Sequence, residues 1–235
     1  MTHSFDKHYW DPVWHGDGAA AMGASPANPH LVREIGGLVP GTALDAGCGA
    51  GAEAIWLAEH GWRVTAVDIA AEALATAARR TADAGVADRV RWVEADLSTW
   101  EPQERYDLVT THYAHPAMPQ LEFYDRIGSW VAPGGTLLIV GHLHAGHHAG
   151  EHGNDHGDHH GDDHGDHHRH GHRESSPPAS ASVTAADITA RLDPASWSVE
   201  TARESQRSVA GPGGRPTTVR DVVVRARATT REELR

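Results

Sequence analysis

Residues 43–70 read ALDAGCGAGAEAIWLAEHGWRVTAVDIA, and the fold is decided by this stretch. An apolar run, a glycine-rich turn, a helical pattern, a second apolar run and an acid at its end follow one another. That is the order of the nucleotide-binding half of a doubly wound α/β domain. Gly47, Gly49 and Gly51 remove side chains where the backbone must turn sharply and let a ligand come close. The helix that follows starts with free amide groups pointing into the same crevice. Asp68 lies 21 positions beyond Gly47, a spacing suited to a carboxylate that accepts both hydroxyls of a ribose.

The glycine spacing separates two kinds of ligand. A dinucleotide fingerprint is GxGxxG, whose third glycine lets the helix pack close under a pyrophosphate. Here the pattern is GxGxG, with Ala52 and Glu53 opening the helix. A carboxylate in the first helical turn repels a diphosphate but not a sulfonium or an amino group, which disfavours a nicotinamide-dependent reductase. At Asp45 and Gly47 to Gly51 the sequence resembles the class I S-adenosylmethionine-dependent methyltransferases, whose first motif is an acid followed by GxGxG. The resemblance implies a Rossmann-like α/β/α fold, a doubly wound sheet of seven strands with the last one antiparallel. It also implies S-adenosylmethionine as cofactor, held by Asp45, Gly47, Gly49, Gly51, Asp68 and Ile69, and by Asp96 and Leu97 at the adenine.

Outward from this centre, local patterns supply the remaining elements. A helix is expected over Leu31 to Leu38, then a Pro40-Gly41 turn and a strand from Thr42 to Ala46. Helices over Ala52 to His60 and Ala71 to Ala84 alternate with strands over Arg63 to Val67 and Val90 to Glu94, and Gly85 suits a helix carboxyl cap. Asp96 also reads as a plain capping aspartate, with Ser98 and Thr99 beside it. A strand over Tyr106 to Thr111 runs into THYAHP, which brings His112, Tyr113 and His115 to the rim of the expected pocket. If an acceptor must lose a proton, His115 or His112 is the candidate general base. A helix from Met118 to Val131 and a Pro133-Gly134-Gly135 turn precede a strand over Thr136 to Gly141. The segments THYAHP and VAPGGTLLIVGH resemble, more narrowly, the tellurite-resistance and thiopurine methyltransferases. Thr184 and Asp187 form a capping-box pattern for a helix to Leu192. Strands over Trp197 to Glu204 and Thr218 to Arg227, joined by AGPGGRP, read as a closing antiparallel hairpin.

Composition bounds the function. The chain has 235 residues, enough for one domain with a proper core, here 31–141 together with 183–228. Lys and Arg number 20 against 32 Asp and Glu, a net charge of −12, which argues against a nucleic-acid partner and favours a small-molecule methyl acceptor. The single cysteine, Cys48, excludes an internal disulfide and fits a reducing cytoplasm. No apolar run suggests a signal peptide or a membrane span. Residues 1–30 are rich in aromatics and then in chain breakers. They read as an irregular arm with one short helix, which either plugs the open end of the core or forms a lid over the pocket.

One segment belongs to no part of this scheme. Residues 142–182 hold almost no large apolar side chain, and 142–172 carry 13 of the 20 histidines among glycines and acids. The composition cannot bury a core and reads as a disordered insertion. His147, His148, His152, His156, His159, His160, His164, His167 and His168 are candidate ligands for zinc, nickel, copper or cobalt, since imidazole suits all of these ions. The alternative function is therefore metal storage or delivery on a methyltransferase-like scaffold. Calorimetric titration with zinc or nickel at neutral pH should show weak binding of several ions. The binding should disappear below a pH of ~6, where imidazoles protonate.

Overall fold

The computed structural model describes residues 5–15, 23–143, 182–210 and 216–230. One seven-stranded sheet runs in the order β3-β2-β1-β4-β5-β7-β6. Strands β1 (Thr42–Ala46), β2 (Arg63–Asp68), β3 (Val90–Glu94), β4 (Tyr106–His112) and β5 (Val131–His142) are parallel. Strand β7 (Pro216–Ala228) lies antiparallel to β5, and β6 (Trp197–Ala210) closes the edge antiparallel to β7. The expected seven-stranded sheet with an antiparallel last strand is thus present. Strand order reverses between β1 and β4, and ligands of open α/β sheets bind beside such a reversal.

Helices cover both faces, so the strands bury side chains on both sides and read as unbroken apolar runs. Leu137 and Ile139 of β5 join Phe123 and Ile127 of α5 (Gln120–Gly128) and Ile188 of α6 (Ala185–Thr189). Leu138 and Val140 face the other way. They pack with Leu31 and Ile35 of α2 (Pro29–Ile35), Leu57 and Ala58 of α3 (Ala52–Glu59) and Leu74 of α4 (Ala71–Asp83). A fully buried aliphatic side chain contributes about 1.5–3 kcal/mol, so the paired clusters hold the layers together. The capping box of Thr184 and Asp187 forms as its spacing predicts, and Gly85 follows the end of α4 at φ 71°. Among the described residues no helix is long and apolar enough to cross a membrane.

Several boundaries differ from the sequence reading: the helix expected over Leu31 to Leu38 spans Pro29–Ile35, and the one expected to run to Leu192 ends at Thr189. The helix expected to reach Val131 ends at Gly128, and Val131 instead pairs with Tyr106. Pro133-Gly134-Gly135 then lies inside β5 as an irregularity, with Gly134 at φ 79°, rather than before it. The closing strands extend to Ala210 and back from Pro216, because cross-strand pairing holds their polar outer halves where burial does not. Among the described residues of the amino-terminal arm, α1 spans Lys7–His15. His142 is the last residue of β5, and most of the proposed insertion lies outside the described residues.

Gly51 starts α3 in the left-handed region, at φ 78°. A Cβ there would meet the Trp92 ring at 2.5 Å and the Ala77 methyl at 2.9 Å. Backbone strain and overpacking together predict that Gly51→Ala lowers unfolding free energy by about 2–5 kcal/mol, measurable by denaturant titration.

Candidate functional site

The site begins with a turn that only small residues permit. After β1 the backbone amides of Gly47 and Cys48 both donate to the carbonyl of Val67, at 2.9 and 3.0 Å, pinning the turn to β2. Gly47 has φ 81°, and a Cβ on it would overlap the Ala114 methyl that follows β4. The Asp68 carboxylate at the end of β2 accepts from the amides of Gly49 at 2.8 Å and Ala70 at 2.9 Å. Burial pushes this carboxyl up from its ordinary value, and the same amide bonds oppose the rise.

The turn floors a cavity of about 800 Å³ across the carboxyl ends of β1 to β4. Gly47, Gly49, Glu53, Asp68, Ile69, Asp96 and Leu97 are among the residues that line it. Asp96 makes the local bonds that Ser98 beside it suggests, and it lies on the cavity wall. Its Oδ1 accepts from the Ser98 amide at 2.8 Å and the Ser98 hydroxyl at 2.7 Å, and the residue also lines the cavity. Glu53, at the start of α3, accepts from the Asn28 amide at 3.0 Å.

Two predicted cofactor residues stand off the wall. Asp45 is 1 % exposed beneath the turn, with Oδ2 lacking a partner among the described residues. Burial, followed by the negative charges of Glu53 and Asp68, pushes its carboxyl well above the ordinary range. Its side chain supports the floor rather than reaching the cavity. Gly51 is likewise packed under Trp92, so its lack of a side chain serves the helix start and not the approach of a ligand. Cys48 lines the cavity, but burial, with Asp68 and Asp45 nearby, raises its thiol well above its usual value, which suppresses the nucleophilic thiolate.

Phe5, Trp10 and Trp14 of the arm line the cavity from above, with Trp14 close to Gly49. Lys7 pairs with Glu94 at 2.5 Å. Arg80 of α4 donates to the carbonyls of Ala50 at 2.8 Å and Ser25 at 2.9 Å, joining the arm's second half to the turn.

The opposite wall carries His112, Tyr113, His115 and Arg207. Gln120 donates to the carbonyl of Ala114 at 3.1 Å, which fixes its amide so that Oε1 faces His115 Nδ1 at 3.1 Å. The neutral His115 ring therefore holds its proton on Nδ1 and its lone pair on Nε2. Burial pulls His112 below its ordinary value, so it is a neutral imidazole at pH 7. Tyr113 sits at φ 57°, the one described non-glycine with positive φ. Its hydroxyl donates to Asp221 at 2.8 Å and accepts from Arg207 at 2.9 Å and Asn28 at 3.2 Å. Burial first, and Asp221 after it, push this phenol up to about 12.

Sequence reasoning missed this second group beyond His112, Tyr113 and His115. Asp221 lies in the middle of β7, fully buried among valines, where an acid in an apolar run (VRDVVV) was the available signal. Arg207 and Asn28 gave none. The candidate metal histidines 147 to 168 lie outside the described residues. Among the described residues no group of three or more His, Cys, Asp or Glu side chains is arranged to hold a metal ion.

Comparison with known proteins agrees with this geometry. Residues 43–135 match the family described as a methyltransferase domain. An uncharacterized methyltransferase of Mycobacterium tuberculosis is 40% identical over 119 residues, 48% of this chain and 58% of that protein. Trans-aconitate 2-methyltransferase of Streptomyces avermitilis is 33% identical over 139 residues, 54% of this chain and 49% of that protein. The chain thus spans about half the length of the curated relatives it matches. A solved structure described under the conversion of a disulfide bond into a thioacetal group during echinomycin biosynthesis superposes with a TM-score of 0.66. It is 19% identical and covers 96% of this chain and 94% of its own, a likeness of fold.

Proposed function

We propose that this chain, a member of the class I S-adenosylmethionine-dependent methyltransferases, moves a methyl group from that cofactor to a small-molecule acceptor. The observation that carries the reading is the glycine turn and Asp68 opening onto one cavity whose far wall holds His112, Tyr113 and His115. The residues fit the cofactor. Glu53 and Asp68 suit a cation and an amino-acid ammonium, the turn presents only glycines, Cys48 and Ala50 to the floor, and Asp68 is oriented by two backbone amides. In this reading Asp68 holds the ribose hydroxyls, Asp96 and Leu97 hold the adenine, and Gly47, Gly49 and Ile69 form the bed. When bound, the cofactor supplies an electrophilic methyl group on positively charged sulfur.

The chain's own contribution is chiefly placement. Aligning reactants supplies ~7–11 kcal/mol, whereas a general base gives ~10²- to 10⁴-fold, about 3–5 kcal/mol. The aromatic arm excludes water and the far wall orients the acceptor. His115, with its lone pair on Nε2, is the candidate to take a proton from an oxygen acceptor. A thiol ionised in solution needs no such help. The small-molecule reading is supported by the net charge of −12 and by a relative named for trans-aconitate.

Calorimetric titration with S-adenosylhomocysteine should show binding that Asp68→Asn weakens by about tenfold or more, the scale of charge-assisted hydrogen bonds. Binding unaffected by that change, or absent from the native protein, would overturn the assignment. His115→Ala should cut turnover of a phenol or alcohol by ~10²- to 10⁴-fold and leave a thiol nearly untouched. Rates of S-adenosylhomocysteine release across both acceptor types decide the point, and an equal, negligible loss for both removes the histidine from the mechanism.

A further inference from the structure

The cavity is lined by the carboxylates of Glu53, Asp68 and Asp96, and Arg207 is the single Lys or Arg among its described lining residues. Asn28 links Glu53, which accepts from its amide at 3.0 Å, to the Tyr113 hydroxyl at 3.2 Å. Arg207 reaches the cavity from β6, the edge strand, and its guanidinium is held along one side only. Nε donates to Asp221 Oδ2 at 2.6 Å and Nη2 donates to the Tyr113 hydroxyl at 2.9 Å. Asp221 is fully buried and also accepts from His30 Nε2 at 3.0 Å and from Tyr113 at 2.8 Å. The guanidinium therefore cannot swing away without leaving a buried charge unpaired.

A guanidinium has five donors in a rigid fork. The edge formed by Nε and Nη2 is occupied, and among the described residues no bond is made by Nη1 or by the second hydrogen of Nη2. That remaining end-on edge is one that grips a planar carboxylate with two parallel bonds. The charge state of the pair restricts the ligand further. Arg207 and Asp221 together are neutral, and three carboxylates share the cavity, so repulsion grows with the charge of the ligand and disfavours a dianion such as a phosphate monoester more than a monoanion.

We propose that the end-on edge of Arg207 is an anion subsite for the methyl acceptor, and that the acceptor is a small molecule bearing a carboxylate. The proposal rests on the reading of the cavity as a methyl-transfer site. Arg207 binds and orients the acceptor and takes no part in the transfer itself.

The test titrates S-adenosylhomocysteine-saturated protein with 4-mercaptobenzoate and, separately, with its methyl ester, by calorimetry. The native protein should prefer the carboxylate by about tenfold or more, the scale of hydrogen bonds between charged groups. Arg207→Lys keeps the charge but loses the fork, and should reduce the preference to about threefold or less while retaining affinity for S-adenosylhomocysteine. The double change Arg207→Gln with Asp221→Asn removes both charges of the buried pair together, and should abolish the preference without stranding either charge. No preference in the native protein, including no binding of either probe, overturns the subsite, as does a preference that survives both variants. Absence of S-adenosylhomocysteine binding at the outset overturns the donor reading instead.

Discussion

The carboxyl end of β1 can fold back over β2 only because a run of residues there has little or no side chain. Gly47 leaves room for the Ala114 methyl, and its amide and that of Cys48 converge on a single carbonyl, that of Val67. This double bond fixes the height of the turn above the sheet. Asp68 then reaches back from β2 to the Gly49 amide, so the floor and the Asp68 carboxylate are one hydrogen-bonded unit. The cavity across the ends of β1 to β4 follows from that unit, because the strand-order reversal leaves space beside it and the turn does not fill the space.

A second constraint shapes the other wall. Asp221 is a charge with no exposure, and its carboxyl shows how such a group is tolerated. Burial pushes it up, yet hydrogen bonds from Tyr113, Arg207 and His30 outweigh burial and leave it below the usual carboxylate range. It is therefore ionised and paired, and removing one partner from a buried pair typically costs about 3–5 kcal/mol. The partners come from α2, from the residue after β4 and from β6, so one carboxylate joins three distant segments at the cavity. Tyr113 illustrates the exchange: a left-handed backbone costs about 1–3 kcal/mol, and the three bonds of its hydroxyl offset that cost.

What the sequence made legible follows from how local each signal is. The turn, Asp68 and the parallel strands depend on residues within a few positions of one another, and their spacing carries the geometry. The capping box of Thr184 and Asp187 is of the same kind. By contrast, Asp221 meets Tyr113 across 108 positions and His30 across 191, and no spacing rule links them. Asp45 shows the reverse failure. It belongs to a recognisable motif, but it is buried beneath the turn and is not among the residues that line the cavity, which spacing alone does not reveal. The polar outer half of β6 was illegible because cross-strand pairing holds it, with little burial to impress an apolar alternation.

The two constraints together divide the cavity's chemistry. Carboxylates line the cavity around the turn and the ends of β2 and β3, where a positive charge is stabilised most, while His112, kept neutral by burial, His115, oriented by Gln120, and a guanidinium paired along one edge also line it. Neither wall presents a strong free acid or base. A displacement between a cation and a nucleophile loses charge as it proceeds, so a dry enclosure favours the transition state over the separated reactants. The aromatic roof of Phe5, Trp10 and Trp14 is consistent with that demand, since it adds apolar surface and no competing nucleophile. Selectivity then has to come from what the far wall can hold in line with the donor. In this chain that wall is held by a buried carboxylate of β7, so the stability of the fold and the shape of the wall are not independently adjustable.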